Sequence, residues 1–506
     1  MLAETFPDML HRAAARWPER TFLRWSDRDR SLTFAEVDDL SDRAADALAT
    51  LDVGRGDRVG LLAHNGLDYL VAMFGTWKAG AITAHISVQV AADLAQYAAD
   101  CTPSVLIYTH DLYDAVDRDR DQMTSVRHYI CMDGAQPGAV GWADLLASAR
   151  PGPTPPTDPD APCHLSYTSG STGRPKGAVL KFGPTARATA CIAERLGLSG
   201  DDASLGATSP ASSYGLVANW LPGLHVGMTV GLRSRWDVAA VFDDLEANHV
   251  TYVPGNPILL ADLLAESRRR GGPPSRLRLV VSGGAAVPPE LKRAYFDELS
   301  VPFCESYGQS ELGGFVALGR PTREADDLLG AVGQPLPDKV VSAQDDAGAE
   351  VAPGEPGELC IRGGFMWGYW GLPDRTAEVL RDGWLRTGDV GTMDADGYVT
   401  TLGRVSERIT QGGEVLYPRP IEELLLADDR VALAAVIGVP DAALGQVPVA
   451  VVTLGTEDVV DADVVLAAYL ARGGDPRLRR VEVVDVMPMT ATGKMDKISL
   501  RKRFGA

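Results

Sequence analysis

The run Tyr167-Thr168-Ser169-Gly170-Ser171-Thr172-Gly173-Arg174-Pro175-Lys176-Gly177 constrains this chain more than any other stretch. It lies between an apolar run, Cys163 to Leu165, and Ala178-Val179-Leu180, so it reads as a loop joining two strands. Its glycines let the backbone fold tightly with N–H groups turned inward, a nest for anionic oxygens. The hydroxyls of Thr168, Ser169, Ser171 and Thr172 add donors, and Lys176 adds a point charge suited to phosphate. A flexible Ser/Gly linker would not be expected to end in Pro-Lys-Gly between two strands. The Walker pattern G-x-x-x-x-G-K-[ST] is not met, because Gly177 follows Lys176.

The rest of the chain is built to match an α/β frame. At 506 residues it exceeds one compact core, and an apolar fraction of 45% excludes wholesale disorder. Helical and strand patterns alternate: helix at Ala35 to Leu51, strand at Asp57 to Ala63, helix at Asp68 to Lys78, strand at Ala81 to His85. Further strands read at Ser104 to Tyr108, Thr251 to Val253 and Leu277 to Ser282. Repeated βαβ units predict mostly parallel sheets packed by helices. Arg150 to Pro162 is a Pro-rich connector, and Val340 to Thr401 has the short strands and Gly turns of a β-rich subdomain. A small α+β lid follows, so the expected division is 1–405 and 406–506.

Charge and cysteine usage narrow the partners. A formal charge of −20 disfavours nucleic acid and anionic membrane, neither of which is expected as a partner. No window approaches the ~20 apolar residues that span a bilayer. The six cysteines lie far apart without metal-ligand spacing, as in a reduced cytoplasmic protein. The N-terminus lacks the basic start and apolar run of a signal peptide.

The loop resembles the signature of adenylate-forming enzymes: acyl- and aryl-CoA synthetases, luciferases and peptide-synthetase adenylation domains. Ser282-Gly283-Gly284-Ala285 resembles the strand end that the family sets beside adenine. Ser306-Tyr307-Gly308-Gln309-Ser310-Glu311 is similar to its Tyr-Gly-x-Thr-Glu motif, with Ser310 for Thr. Gly383-Trp384-Leu385-Arg386-Thr387-Gly388-Asp389 resembles Gly-Trp-x-x-Thr-Gly-Asp. Gly403-Arg404 with Gly412-Gly413-Glu414 resembles the hinge and lid loop, and Thr492-Gly493-Lys494 the C-terminal lysine motif.

The resemblance implies a reaction in two halves. A carboxylate attacks the α-phosphate of ATP to give an acyl-adenylate, and the thiol of CoA then displaces AMP. It implies that Thr168 to Gly173 and Lys176 hold phosphates, and that Glu311 binds Mg²⁺. Gly284, Ala285, Ser306, Tyr307, Gly308, Ser310, Asp389 and Arg404 surround the nucleotide. Lys494 bridges carboxylate and α-phosphate. Gly412 and Gly413 line a thiol tunnel once the lid swings about Ser406, which stands where Asp or Lys is usual. Pro420 likewise replaces a usual Glu, with Glu422 retained. The acid pocket is assigned to Ser213, Tyr214, Gly283 and Gly308, and the small residues Ser212, Ser213, Gly283, Gly284 and Gly308 are expected to leave room for a ring or alkyl chain. No Asp or Glu occurs between Ser204 and Trp236, which argues against an α-amino acid, since a desolvated ammonium needs a partner.

CoA adds a phosphorylated nucleotide, for which Arg472, Arg477, Arg479 and Arg480 are candidate contacts. Three rivals stand beside this reading. One is an enzyme loading the acid onto a carrier-protein phosphopantetheine, and another a catalytically inactive nucleotide-binding scaffold. The third, a luciferase-like oxygenase, has no residue pattern in its favour. Lys494 is set apart from its neighbours in the basic tail, Lys494 to Arg503, only by its Thr-Gly-Lys context.

Overall fold

The structure is a computed structural model that describes residues 4–150, 152, 156–168, 175–206, 208–321, 330–455, 460–489 and 495–505. Among these residues four sheets carry the fold.

The first sheet has seven strands. Arg58–Leu62, Ile82–His85, Val105–Tyr108 and His128–Cys131 pair in parallel, and Ile82–His85 pairs in parallel with Pro162–Thr168. Lys176–Lys181 then closes one edge antiparallel to Pro162–Thr168. The connecting helices follow from the apolar spacing. Phe34–Thr50 starts at a capping box, in which Thr33 Oγ1 accepts from Glu36 N–H and the Glu36 carboxylate accepts from Thr33 N–H. Leu67–Lys78 ends where Gly80 adopts a φ of 77°.

The second sheet has nine strands. Its centre runs in parallel through Thr21–Trp25, Thr229–Leu232, Ala203–Gly206, Tyr252–Gly255, Leu279–Gly283 and Phe303–Gln309. One large apolar cluster spans both sheets and the helices between them, with Trp77, Phe22, Phe34 and Trp220 nearly water-free.

The expected β-rich part is an antiparallel sheet of Val340–Gln344, Gly357–Arg362, Leu380–Arg381, Trp384–Met393 and Val399–Arg404. The fourth sheet starts at Ile409–Gln411 and carries the helices Pro418–Leu426 and Ala462–Ala471 on its own apolar cluster. One expectation is corrected here. The basic segment read as a tail forms the helix Lys497–Phe504, capped by Asp496, whose carboxylate accepts from Ile498 and Ser499 N–H. No helix among the described residues is long and apolar enough to cross a membrane.

Candidate active site

The glycine-rich segment follows Pro162–Thr168 and precedes Lys176–Lys181, two strands that pair antiparallel with Thr168 opposite Lys176. Ser169, Gly170, Ser171, Thr172 and Gly173 lie outside the described residues, as does Lys494. Lys176 stands at the mouth of the hairpin, its Nζ 5.8 Å from the ring centroid of Tyr369. Tyr369 donates its hydroxyl proton to Glu311 Oε1 at 2.8 Å, so one aromatic side chain touches both the lysine and the glutamate. The reading of the sequence missed Tyr369. The signal was the aromatic pair Tyr369-Trp370 set between Gly368 and Gly371.

Glu311 sits in the single turn Ser310–Leu312 between two strands of the large sheet. No cluster of three or more His, Cys, Asp or Glu able to cage a metal occurs among the described residues. A lone carboxylate fits Mg²⁺ nonetheless, because that ion keeps several waters and is held by one or two carboxylates together with substrate phosphates. Glu311 Oε1 is engaged by Tyr369, and no described residue donates to its other oxygen.

The residues expected around the nucleotide gather where the strand Leu279–Gly283 ends, Gly283 pairing with Ser306 of the adjacent parallel strand. Ligands of open α/β sheets bind at such carboxyl ends. Beyond them Gly284, at a φ of 80°, and Ala285 are exposed. Asp389, on Trp384–Met393, gathers three donors. The Tyr307 hydroxyl donates to Oδ2 at 2.8 Å, Gln309 Nε2 donates to the same oxygen, and Arg404 Nη1 stands 3.0 Å from Oδ1. Arg404 and Gln309 also donate to the Thr387 carbonyl, at 2.9 and 3.0 Å. Burial, reinforced by Asp389, pushes the Tyr307 hydroxyl well above its ordinary range, so it stays a donor. Burial alone would pull the Arg404 guanidinium down, but Asp389 and its other anionic neighbours outweigh it. A carboxylate offers about four lone-pair sites, and three are engaged here, leaving Oδ1 able to accept from a sugar hydroxyl. Gln309 was another residue that the reading of the sequence passed over.

The acid-pocket residues divide. Ser213 Oγ lies 3.2 Å from Ser310 Oγ, which joins the pocket segment to the Glu311 turn. Tyr214 stacks obliquely on Phe315 with ring centroids 5.4 Å apart. Its hydroxyl sits 2.8 Å from the Val281 carbonyl oxygen and 3.1 Å from that of Gly255, so its polar end is committed to the backbone. The expectation that Gly283 and Gly308 leave open room is corrected. A Cβ at Gly283 would run into Ser306 Oγ, and one at Gly308 into the Gly314 carbonyl. These glycines permit close packing; Gly284, with nothing within 4 Å of its Cβ direction, is the one that faces open space.

In the C-terminal segment Gly412 and Gly413 form a two-residue hairpin turn between the paired residues Gln411 and Glu414. Their φ values of 60° and 89° fit a type I′ turn, which needs positive φ at both positions. Ser406 is exposed in the turn Val405–Glu407, between the last strand of one sheet and the first of the next. Pro420 falls in the first turn of Pro418–Leu426, where backbone N–H groups need no helical partner. Of the candidate arginines, Arg472 pairs with Asp428 at 3.2 Å, Arg477 with Asp475 at 2.6 Å and Arg480 with Glu482 at 2.6 Å. Arg479 is exposed and has no ion-pair partner among the described residues.

Comparison with known proteins agrees with this layout. The model of the AMP-binding enzyme family matches residues 10–370, and that of the AMP-binding enzyme C-terminal domain matches 420–494. Feruloyl-CoA synthase of an Amycolatopsis species is 36% identical over 94% of each chain. Indoleacetate–CoA ligase of Aromatoleum aromaticum is 33% identical over 98% of this chain and 97% of its own. The crystal structure of the anthranilate CoA ligase AuaEII with anthranoyl-AMP superposes with a TM-score of 0.91 at 25% identity, covering 99% of this chain and 98% of that one. The chain belongs to the AMP-binding enzyme family. Within it the chain is an AMP-forming ligase, joining a carboxylic acid to coenzyme A through an acyl-adenylate.

Proposed function

We propose that the acid is aromatic, a benzoate- or cinnamate-like carboxylate. The observation that carries this is the tilted ring pair of Tyr214 and Phe315 in the segment assigned to the acid, with the Tyr214 hydroxyl tied to the backbone. Offset or tilted aromatic pairs stabilise by about 0.5–1.5 kcal/mol beyond their buried area. The relatives named above, acting by name on feruloyl, indoleacetate and anthranilate groups, support the same class.

In this reading Lys176 and the loop Thr168 to Gly173 hold the phosphates of ATP, and Asp389, Tyr307 and Arg404 hold its nucleoside. Glu311 holds Mg²⁺, which supplies charge neutralisation between the phosphates when bound. Lys494 bridges the acid's carboxylate and the α-phosphate, an interaction that strengthens as charge develops in the transition state. Residues 406–506 act as a lid that turns about Ser406 and brings Gly412 and Gly413 against the pantetheine arm. Six buried, unpaired cysteines support a reducing cytoplasmic setting.

An ATP–pyrophosphate exchange screen over aromatic, alicyclic and alkyl acids tests the substrate class. Aromatic acids are expected to exchange fastest, and a clear preference for alkyl acids would sink the assignment. Adding CoA and, separately, a holo-carrier protein settles the acceptor: CoA thioester is expected, and product only with the carrier would move the enzyme to carrier loading.

A further inference from the structure

The segment 363–371 carries no periodicity that the sequence alone makes legible, yet it is fastened at six of its nine residues. Lys339 Nζ donates to the Gly364 carbonyl, and Met366 N–H donates to the Glu311 carbonyl at 2.6 Å. Trp367 N–H donates to the Val179 carbonyl and Trp370 N–H to the Gly177 carbonyl, both at 2.8 Å. Val179 N–H returns a bond to Gly368, and Tyr369 bridges Ala178 in antiparallel fashion. The segment is therefore a strap laid along the strand that begins at Lys176, and its other attachment is the Glu311 turn. Only one of its side chains reaches the two charged groups. Tyr369 donates to Glu311 Oε1 at 2.8 Å and sets its ring under Lys176 Nζ at 5.8 Å, within cation–π range.

We propose that Tyr369 is a positioning residue for ATP activation: its hydroxyl orients the Glu311 carboxylate toward Mg²⁺ and its ring holds the Lys176 ammonium toward phosphate. This inference rests on the metal role given to Glu311 above. A free glutamate side chain samples many rotamers, and ordering it costs conformational entropy. Mg²⁺ demands near-ideal octahedral geometry, so a carboxylate with one oxygen fixed and the other open is prepared for it. Groups that orient a ligating carboxylate typically change metal affinity by about 10–100-fold when removed.

The test uses the full chain with Tyr369→Phe, which keeps the ring and removes the donor, and Tyr369→Leu, which removes both. Mn²⁺ binding in the presence of ATP is read by the loss of the free-ion paramagnetic resonance signal. Pyrophosphate exchange is titrated with Mg²⁺, and thermal midpoints are recorded. Tyr369→Phe is expected to weaken Mn²⁺ binding about tenfold, to regain exchange at high Mg²⁺, and to melt with the wild type. Tyr369→Leu is expected to raise the KM for ATP further through the loss of the ring beneath Lys176. Wild-type Mn²⁺ affinity in Tyr369→Phe overturns the inference alone. Loss of activity that excess Mg²⁺ does not restore, with a lowered midpoint, also overturns it, because the strap would then be merely structural. A wild-type chain that binds no Mn²⁺ beside ATP overturns the reading of Glu311, and the inference with it.

Discussion

Lys497 Nζ stands 2.8 Å from Glu407 and 2.8 Å from Glu422, in a nearly enclosed space. Burial alone would pull this ammonium down, but Glu422 and Glu407 outweigh it and hold it above its ordinary range. Glu422 also accepts from Val436 N–H at 2.7 Å, so one lysine ties the last helix, the turn containing Ser406 and the helix Pro418–Leu426 together. Removing one partner of a buried pair typically costs about 3–5 kcal/mol, because the remaining charge stays buried and uncompensated. The two neighbouring lysines should therefore part company. Lys497→Ala is expected to lower the melting temperature of the C-terminal segment. Lys494→Ala is expected to melt like wild type and to lose pyrophosphate exchange while still forming thioester from supplied acyl-adenylate. Differential scanning calorimetry and the two half-reaction assays distinguish these outcomes, and equal melting of both variants would refute the structural role of Lys497. The sequence separated Lys494 from its neighbours by motif, but it left Lys497 as surface charge. The reason is physical: its partners lie 90 and 75 positions away and share no local pattern with it.

The turn at Gly412 and Gly413 shows what a single element makes readable. Gly412 and Gly413 were legible as a glycine pair in the lid loop, and the positive φ of both explains why glycine is there. Around Gly413 nothing lies within 4 Å of the Cβ direction, and Glu414 beside it pairs with Arg477 at 2.7 Å. Gly413→Ala thus meets only the backbone penalty of a left-handed conformation, about 1–2 kcal/mol. Exchange with pyrophosphate is expected to remain within about twofold of wild type, and a marked fall in thioester formation alone would show that the turn meets the pantetheine arm after the lid moves. Stopped-flow release of AMP from acyl-adenylate on CoA addition reads this directly, and unchanged release would remove the turn from the tunnel. Periodic elements such as Phe34–Thr50 and Arg58–Leu62 fell close to expectation because apolar spacing dictates them. The strap at 363–371 and the helix Lys497–Phe504 did not, since the first is fixed by bonds to distant strands and the second is short and basic.

Across the whole molecule, buried charge and buried neutrality set two further expectations. His85 and His164 lie with ring centroids 4.2 Å apart on adjacent strands, His164 on the strand Pro162–Thr168. Tyr69 contacts His85, and Thr83 Oγ1 lies 3.2 Å from His164 Nδ1. Burial pushes His164 down to about 3, and burial together with His164 holds His85 well below its ordinary value. The unfolded chain takes up protons at these positions below about 6.5, and the folded chain does not. Stability is therefore full above pH 6.5 and falls as the pH drops toward 3. Each buried neutral histidine opposes folding more as the pH falls, by at most about 1.36 kcal/mol per pH unit. Urea unfolding at pH 7.5 and 5.5 should show this loss, His164→Gln should reduce it, and a flat profile would refute it.

The ion network at the junction bears on which half-reaction this arrangement serves. Arg419, on the helix Pro418–Leu426, sets Nη2 3.1 Å from Glu305 Oε1 and Nε 2.6 Å from Glu423, and also donates to Thr401. Glu305 belongs to the strand that carries Tyr307, and its other oxygen pairs with Lys292. Burial alone would pull Arg419 down, yet Glu305 and Glu423 hold its guanidinium above the ordinary range. A guanidinium shared between the large sheet and the C-terminal helix favours the arrangement in which both contacts exist. In that arrangement the Gly412–Gly413 turn is exposed, so under the role proposed for the turn it is not the arrangement that encloses a pantetheine arm. Arg419→Ala should therefore weaken the adenylating arrangement and leave the thiol step intact. The expected result is slower pyrophosphate exchange, undiminished thioester formation from acyl-adenylate, and faster protease nicking between residues 404 and 409. A variant that loses the thiol step instead would assign this contact to the other lid position, because a latch slows only the half-reaction whose geometry it holds.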